Sequence, residues 1–221
     1  MFRNYCKAIH RWLAVAFGIF FMVACLTGAI LVFEKEITRC IQPSSLETTA
    51  IAVPAEQSEH LPFFKQIRAF HRWLFMVPAE KPALTPGRVI MGCNAFAALI
   101  ILLTGLVMWW PKNFRQLSSQ LRLTVNKGTL RFAFSYHRLA GILAVVVLPL
   151  TLLTGPTWSF VPYKEAVSHI LGNPPKGTLF LIHSGGWGGV PTQILLFFIL
   201  LLATFLPLTG YYIWYRRCRK R

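Results

Sequence analysis

The sequence predicts an all-α integral membrane protein: a four-helix transmembrane bundle from two tandem two-helix repeats, with a short periplasmic helix and a small cytoplasmic β-hairpin. Three observations carry this expectation. The chain has 221 residues, is 55% hydrophobic with mean hydropathy +0.52, and holds several apolar runs near twenty residues, so it is not a soluble domain around one core. The run from His10 to Gly28 nearly repeats from His137 to Gly155, each opening on His-Arg and closing on Leu-Thr-Gly. Charge alternates from segment to segment.

Both repeats place the Thr 17 positions after the His, a helical rise of about 26 Å, close to the hydrocarbon thickness of a bilayer. Four spans follow, at about 12–33, 89–110, 138–160 and 191–214, and the chain reads as one transmembrane domain over 1–221. Each span carries a Leu-Thr-Gly, at 26–28, 103–105, 153–155 and 208–210, which reads as a helix-packing position of small and hydroxylated residues. The apolar run of span 1 continues to Phe33, longer than a signal-peptide core, so span 1 is expected to be retained. In the outer loop 34–88, residues 42–59 offer little to bury, whereas 61–77 repeat apolar positions at three and four and predict a helix with His71 on its apolar side. In the inner loop 111–137, residues 121–125 and 129–134 alternate about Asn126-Lys127-Gly128 and predict the hairpin. Pro149 predicts a kink in span 3. The second outer loop, 161–190, carries a Gly-rich run at 184–189 that reads either as a plain loop or as room for a ligand edge.

A net charge of +16 in a soluble protein would suggest nucleic acid, but the distribution points to a membrane. The amino terminus, the 111–138 segment and the tail from Arg216 hold fourteen of the 23 Lys and Arg and no acid. All seven Glu lie in 34–88 and 161–190, and the chain has no Asp. The positive-inside rule therefore places both termini in the cytoplasm, with lipid and not nucleic acid as the partner of the basic tail. The five Cys offer no disulfide framework and no CxxC.

Two tandem units inserted in one orientation are related by a pseudo-two-fold axis along the membrane normal. Equivalent residues then face each other: His10 with His137 at the inner end, His71 with His183 at the outer end. Two opposed imidazoles are what a six-coordinate haem iron needs, so the metal-ligand candidates are His10, His137, His71 and His183, with Gly18 and Gly141 leaving room for the macrocycle. Arg11 and Arg138, beside the inner His, are candidates to hold propionates. His60 and His169 are rivals for the outer site and read by default as solvated loop residues. A single boundary His followed by Arg also serves as an interfacial anchor, and the span-end Trp residues read that way.

The ordered set His10-Arg-Trp-Leu, His71-Arg-Trp-Leu, Trp109-Trp-Pro-Lys, His137-Arg-Leu-Ala-Gly and Ile182-His-Ser-Gly resembles the PepSY-associated transmembrane helix family. Some of that family are haem-containing ferric-siderophore reductases of the bacterial inner membrane. The resemblance implies b-type haem on these His and electron delivery to a periplasmic iron complex. Family members commonly carry a larger periplasmic insertion than the 37–88 loop provides.

The expected function is a di-haem b-type cytochrome and membrane ferric reductase, taking electrons from a cytoplasmic or quinol donor and reducing a periplasmic ferric chelate. No flavin or nicotinamide fingerprint is present, so reducing power comes from a partner, and no side chain is singled out as catalytic. The alternative is a haem-free membrane scaffold or assembly factor. A transporter ranks last, since no acid lies within a span.

Overall fold

The computed structural model describes residues 1–41, 61–79, 83–111 and 113–219. Its helices are α1 (Phe2–Val32), α2 (Glu34–Ile41), α3 (Pro62–Trp73), α4 (Pro86–Trp109), α5 (Phe114–Gln120), α6 (Thr129–Thr154), α7 (Val161–Ile170), α8 (Thr178–His183), α9 (Val190–Thr204) and α10 (Leu206–Cys218). Helices α1, α4 and α6, with α9 and α10 as a fourth column, are long and apolar enough to cross a membrane. The protein is thus an all-α, multi-pass membrane bundle, and an even number of crossings leaves both termini on one side.

Helix α1 packs against α4 and against α9 and α10, and α6 packs against the same partners, so α1 and α6 stand at opposite corners. The core is closed by small residues, Ala29, Ala98, Ala144 and Ala203, one per column and each at most 1% exposed. Without large side chains there, backbones approach closely, which is where helix association in lipid gets its dispersion energy. Large apolar side chains such as Ile19, Val146 and Phe198 face outward, as lipid contact requires.

Several predicted boundaries move. Span 1 starts at Phe2, because the basic lead-in has no helix breaker and continues the same helix. Span 4 is interrupted at Phe205, since Pro207 lacks the N–H that would bond one turn back. The predicted hairpin is absent: no strand occurs among the described residues, and Thr129–Phe134 form the first turns of α6. Alternation over six residues is too short to outweigh the apolar helix it leads into, and the Thr124 N–H is taken by Ser135 Oγ of α6. Helix α6 runs on through Pro149. The expected helix at 61–77 forms but ends at Trp73, where Leu74 and Phe75 turn with φ of 50° and 64°.

That turn brings α3 down onto the start of α4. A Cβ on Gly87 would sit 1.9 Å from the Trp73 carbonyl oxygen, a backbone atom that cannot swing aside. Gly87→Ala is therefore expected to cost about 1–3 kcal/mol, as overpacking does, and to displace α3 with His71; thermal unfolding in detergent checks the first and outer-site ligand binding the second.

Candidate functional site

Two cavities lie inside the bundle, one toward the end that carries the termini, about 730 Å³, and one toward the opposite end, about 330 Å³. Both fall in the size range of cofactor sites. The apolar core residues Cys25, Leu148 and Leu196 line the second cavity, and Phe21 lines both.

The first cavity is spanned by His10 of α1 and His137 of α6, with ring centroids 6.2 Å apart. The second is spanned by His71 of α3 and His183 of α8, with centroids 6.3 Å apart. The four sequence candidates thus come together in the expected pairs. A His nitrogen binds a metal at roughly 2 Å, and half an imidazole adds about 1 Å, so two rings sharing one metal have centroids about 6 Å apart. The separation in both pairs suits one iron and is too wide for a direct hydrogen bond between the rings.

Each ring is tied back to a different element through Nδ1. His10 Nδ1 bonds the Ile101 carbonyl at 2.9 Å and Thr104 Oγ1 at 3.3 Å. His137 Nδ1 bonds the Leu206 carbonyl at 3.1 Å and Thr209 Oγ1 at 3.0 Å. His183 Nδ1 bonds the Thr151 carbonyl at 3.0 Å and Thr154 Oγ1 at 3.2 Å. His71 Nδ1 bonds Thr27 Oγ1 at 2.8 Å, and the carbonyl in the matching position is that of Ala24. A carbonyl only accepts, so Nδ1 carries the proton and donates, which leaves the Nε2 lone pair for a metal.

These four threonines belong to the four Leu-Thr-Gly motifs, so the packing role predicted for the motifs is too narrow. Leu26, Leu103, Leu153 and Leu208 face outward at 45–50% exposure, the Thr turns inward to the imidazole, and the Gly lies under the same ring. Helical phase alone separates the three directions, since consecutive side chains are about 100° apart. The signal was present in the sequence as four coincident motifs; the His each one serves lies on another element and was invisible there.

His71 and His183 lie outside the four spans. Burial first, then the neighbouring His183 and Arg72, push His71 down to about 3, and burial chiefly holds His183 at about 4. Both rings are therefore neutral near pH 7, as metal ligands must be. Arg72, at the same cavity with Arg68 and Arg88, is lowered to about 10 by burial and then by those two cations. Arg68 pairs with Glu34, and the Arg88 Nε–H donates to the Trp158 carbonyl at 2.8 Å.

The first cavity has a cationic rim of Arg3, Lys7, Arg11, Arg138 and Arg217. Arg11 lies 5.0 Å over the Trp12 ring, and the buried Nε of Arg138 has no partner. Trp109 Nε1, read from sequence as an interface anchor, and Gln120 Oε1 are also buried without partners and line the same cavity. At the second cavity Asn94 Oδ1, on a residue 2% exposed, is another. Trp109 Nε1–H and Arg138 Nε–H are buried donors without a protein acceptor beside this cavity, and the cations of its rim suit a carboxylate. Paired imidazoles with centroids 6.2 Å apart and a cationic rim that suits carboxylates fit an iron porphyrin.

Gly141 faces open space in the first cavity, with nothing within 4 Å of a Cβ added there. Gly18 does not provide the room expected of it: a Cβ there would meet Tyr211 Oη at 2.4 Å, because Tyr211 crosses to donate to the Ala14 carbonyl. His169 is exposed near the end of α7 and lines neither cavity, and His60 lies outside the described residues. The Gly-rich run turns back onto α9, where a Cβ on Gly185, with φ of 75°, would meet Leu196 and Thr192; only its first residue, Ser184, lines the second cavity.

The family model of the PepSY-associated TM region matches residues 8–61 and 47–177. The chain belongs to that family. No curated protein and no solved structure matches it. In this PepSY-associated TM chain the matched stretches contain His10, His71 and His137, while His183 follows the matched region.

Trp109→Phe in the PepSY-associated TM chain should have opposite effects in the two ligand states. Without ligand it removes an unpaired buried N–H and stabilises by about 1–3 kcal/mol; with a carboxylate-bearing ligand it weakens retention. Thermal unfolding with and without added haem measures both.

Proposed function

We propose that this chain is a di-haem b-type cytochrome of the bacterial inner membrane that passes electrons from the cytoplasmic face to the periplasmic face and there reduces a ferric, siderophore-type chelate. The observation that supports it is the pair of opposed imidazole couples, 6.2 Å and 6.3 Å between centroids, one toward each end of the bundle. His10 and His137 would hold one haem, with Arg11, Arg138 and Trp109 at its propionates; His71 and His183 would hold the other. A bound haem supplies a one-electron ferric/ferrous couple.

The protein's own part is positioning and packing. Nδ1–H bonding aims each ring, burial keeps the rings of His71 and His183 neutral, and an apolar core around Phe21 and Leu148 holds the bundle together. The end bearing the termini is cytoplasmic by the positive-inside rule, so outward electron flow from a negative interior gains about 2.3 kcal/mol per 100 mV. Reduction at the outer face loosens iron from its chelate, because the softer divalent ion is held less well by hard oxygen ligands. The donor is a cytoplasmic reductase or membrane quinol.

Protein purified after haem-replete expression should be red, with a dithionite-reduced b-type spectrum and close to two haems per chain, and should reoxidise on adding a ferric chelate. Colourless protein that takes up no haem would reject the reading and leave a haem-free scaffold.

A further inference from the structure

We propose that the threonine of each Leu-Thr-Gly motif is a positioning residue for one imidazole: Thr104 for His10, Thr209 for His137, Thr27 for His71 and Thr154 for His183. Each threonine Oγ1 accepts the same Nδ1–H that a neighbouring carbonyl accepts, so the ring keeps its proton on Nδ1 and Nε2 offers its lone pair to iron. The role rests on the haem reading, but its first consequence, the tautomer, is a property of the protein before any haem binds.

Two kinds of contact support it. The hydroxyl proton of each of these threonines is spent on the carbonyl one turn back, on Val23 at 2.6 Å, Ile100 at 2.7 Å, Leu150 at 2.7 Å and Phe205 at 3.0 Å. The Oγ1 lone pairs are therefore left to accept, and the donor they meet is Nδ1–H of a ring on another element. Back-bonding to a carbonyl is a general habit of helical threonine and would not by itself single out these four. Thr204 shows the difference: it donates to the Leu200 carbonyl at 2.8 Å yet serves no imidazole, and it stands outside any Leu-Thr-Gly.

The glycine that follows completes the cradle. A Cβ on Gly105 or Gly210 would lie 3.2 Å from His10 Cε1 or 3.3 Å from His137 Cε1, which is tight; on Gly155 and Gly28 it would lie 3.4 Å and 3.5 Å from His183 and His71, which is ordinary contact. The inner rings are thus seated more closely than the outer ones. Within each two-helix unit the roles cross over, since the first span's threonine holds the outer His and the second span's holds the inner His. Each unit then presents one imidazole to each of the two sites. An Nδ1–H bonded to a polarised hydroxyl makes Nε2 a stronger donor, favouring ferric over ferrous iron.

The test uses full-length protein labelled with ¹⁵N at histidine, haem-free and then titrated with hemin, for wild type, Thr104→Val and Thr104→Ser. Haem-free wild type should show four rings protonated at Nδ1. Thr104→Val should shift the Nδ1 resonance of His10 alone while the Ile101 carbonyl keeps the proton there, weaken retention of the inner haem by about 10- to 100-fold, and raise the potential of that haem alone; Thr104→Ser should restore all three. Any of these four rings protonated at Nε2 in the wild type would overturn the proposal, as would a Val variant with an unchanged His10 Nδ1 resonance and potential or with both haems shifted alike. Haem-loaded protein with the wrong tautomers defeats the threonine role only, whereas correct tautomers in protein that takes up no haem defeat the haem reading only.

Discussion

His137→Ala should leave one haem per chain, with the outer haem retained at its own potential. The imidazole of His137 closes on His10 at 6.2 Å, and among the described residues the inner cavity is lined by no other His. Its loss leaves His10 as the one imidazole among the described residues lining a cavity of about 730 Å³, while His71 and His183 line the other cavity. The fold should bear the change. Nδ1–H bonds to the Leu206 carbonyl and Thr209 Oγ1 are lost, a cost of about 1–3 kcal/mol without haem. A pyridine haemochrome count of one and a redox titration with one wave in place of two are the expected readings. Two haems retained would show that His137 is not a ligand; both lost from a helical protein would show that the sites are not independent.

Gly141→Leu should exclude the inner haem without harming the haem-free bundle. Gly141 lies one turn deeper than His137 on the same face of α6, and an added Cβ finds nothing within 4 Å. A leucine there has space to occupy, but that space is the cavity beneath the histidine pair. Gly18 supplies the contrast, since a Cβ there runs into Tyr211 at 2.4 Å. Gly18→Leu should lower thermal stability of the haem-free protein, whereas Gly141→Leu should keep its melting temperature and lose one haem. If Gly141→Leu binds two haems with unchanged spectra, the inner haem is not seated along this face of α6.

Much of this was legible along the chain. Span length, positive-inside charge and the duplicated His-Arg to Leu-Thr-Gly run are one-dimensional signals, because a bilayer imposes a fixed apolar length and a repeated chain repeats its periodicity. The pairing of His10 with His137 and of His71 with His183 also followed from the duplication. The false hairpin at 121–134 shows where such reading stops: a few alternating residues are compatible with two backbones, and the longer apolar helix α6 absorbs them.

By itself, then, the sequence determined the number of crossings, their tandem relation and which histidines are equivalent, since each depends only on spacing. The tertiary structure alone decided that every Leu-Thr-Gly threonine receives an imidazole from another element, that Gly141 opens onto a cavity while a Cβ on Gly18 would meet Tyr211, and that Trp109 and Arg138 leave buried donors without partners beside the first cavity. Those facts are relations between helices brought side by side by small-residue packing, and the rotation of one helix against its neighbour is not written in the residues of either.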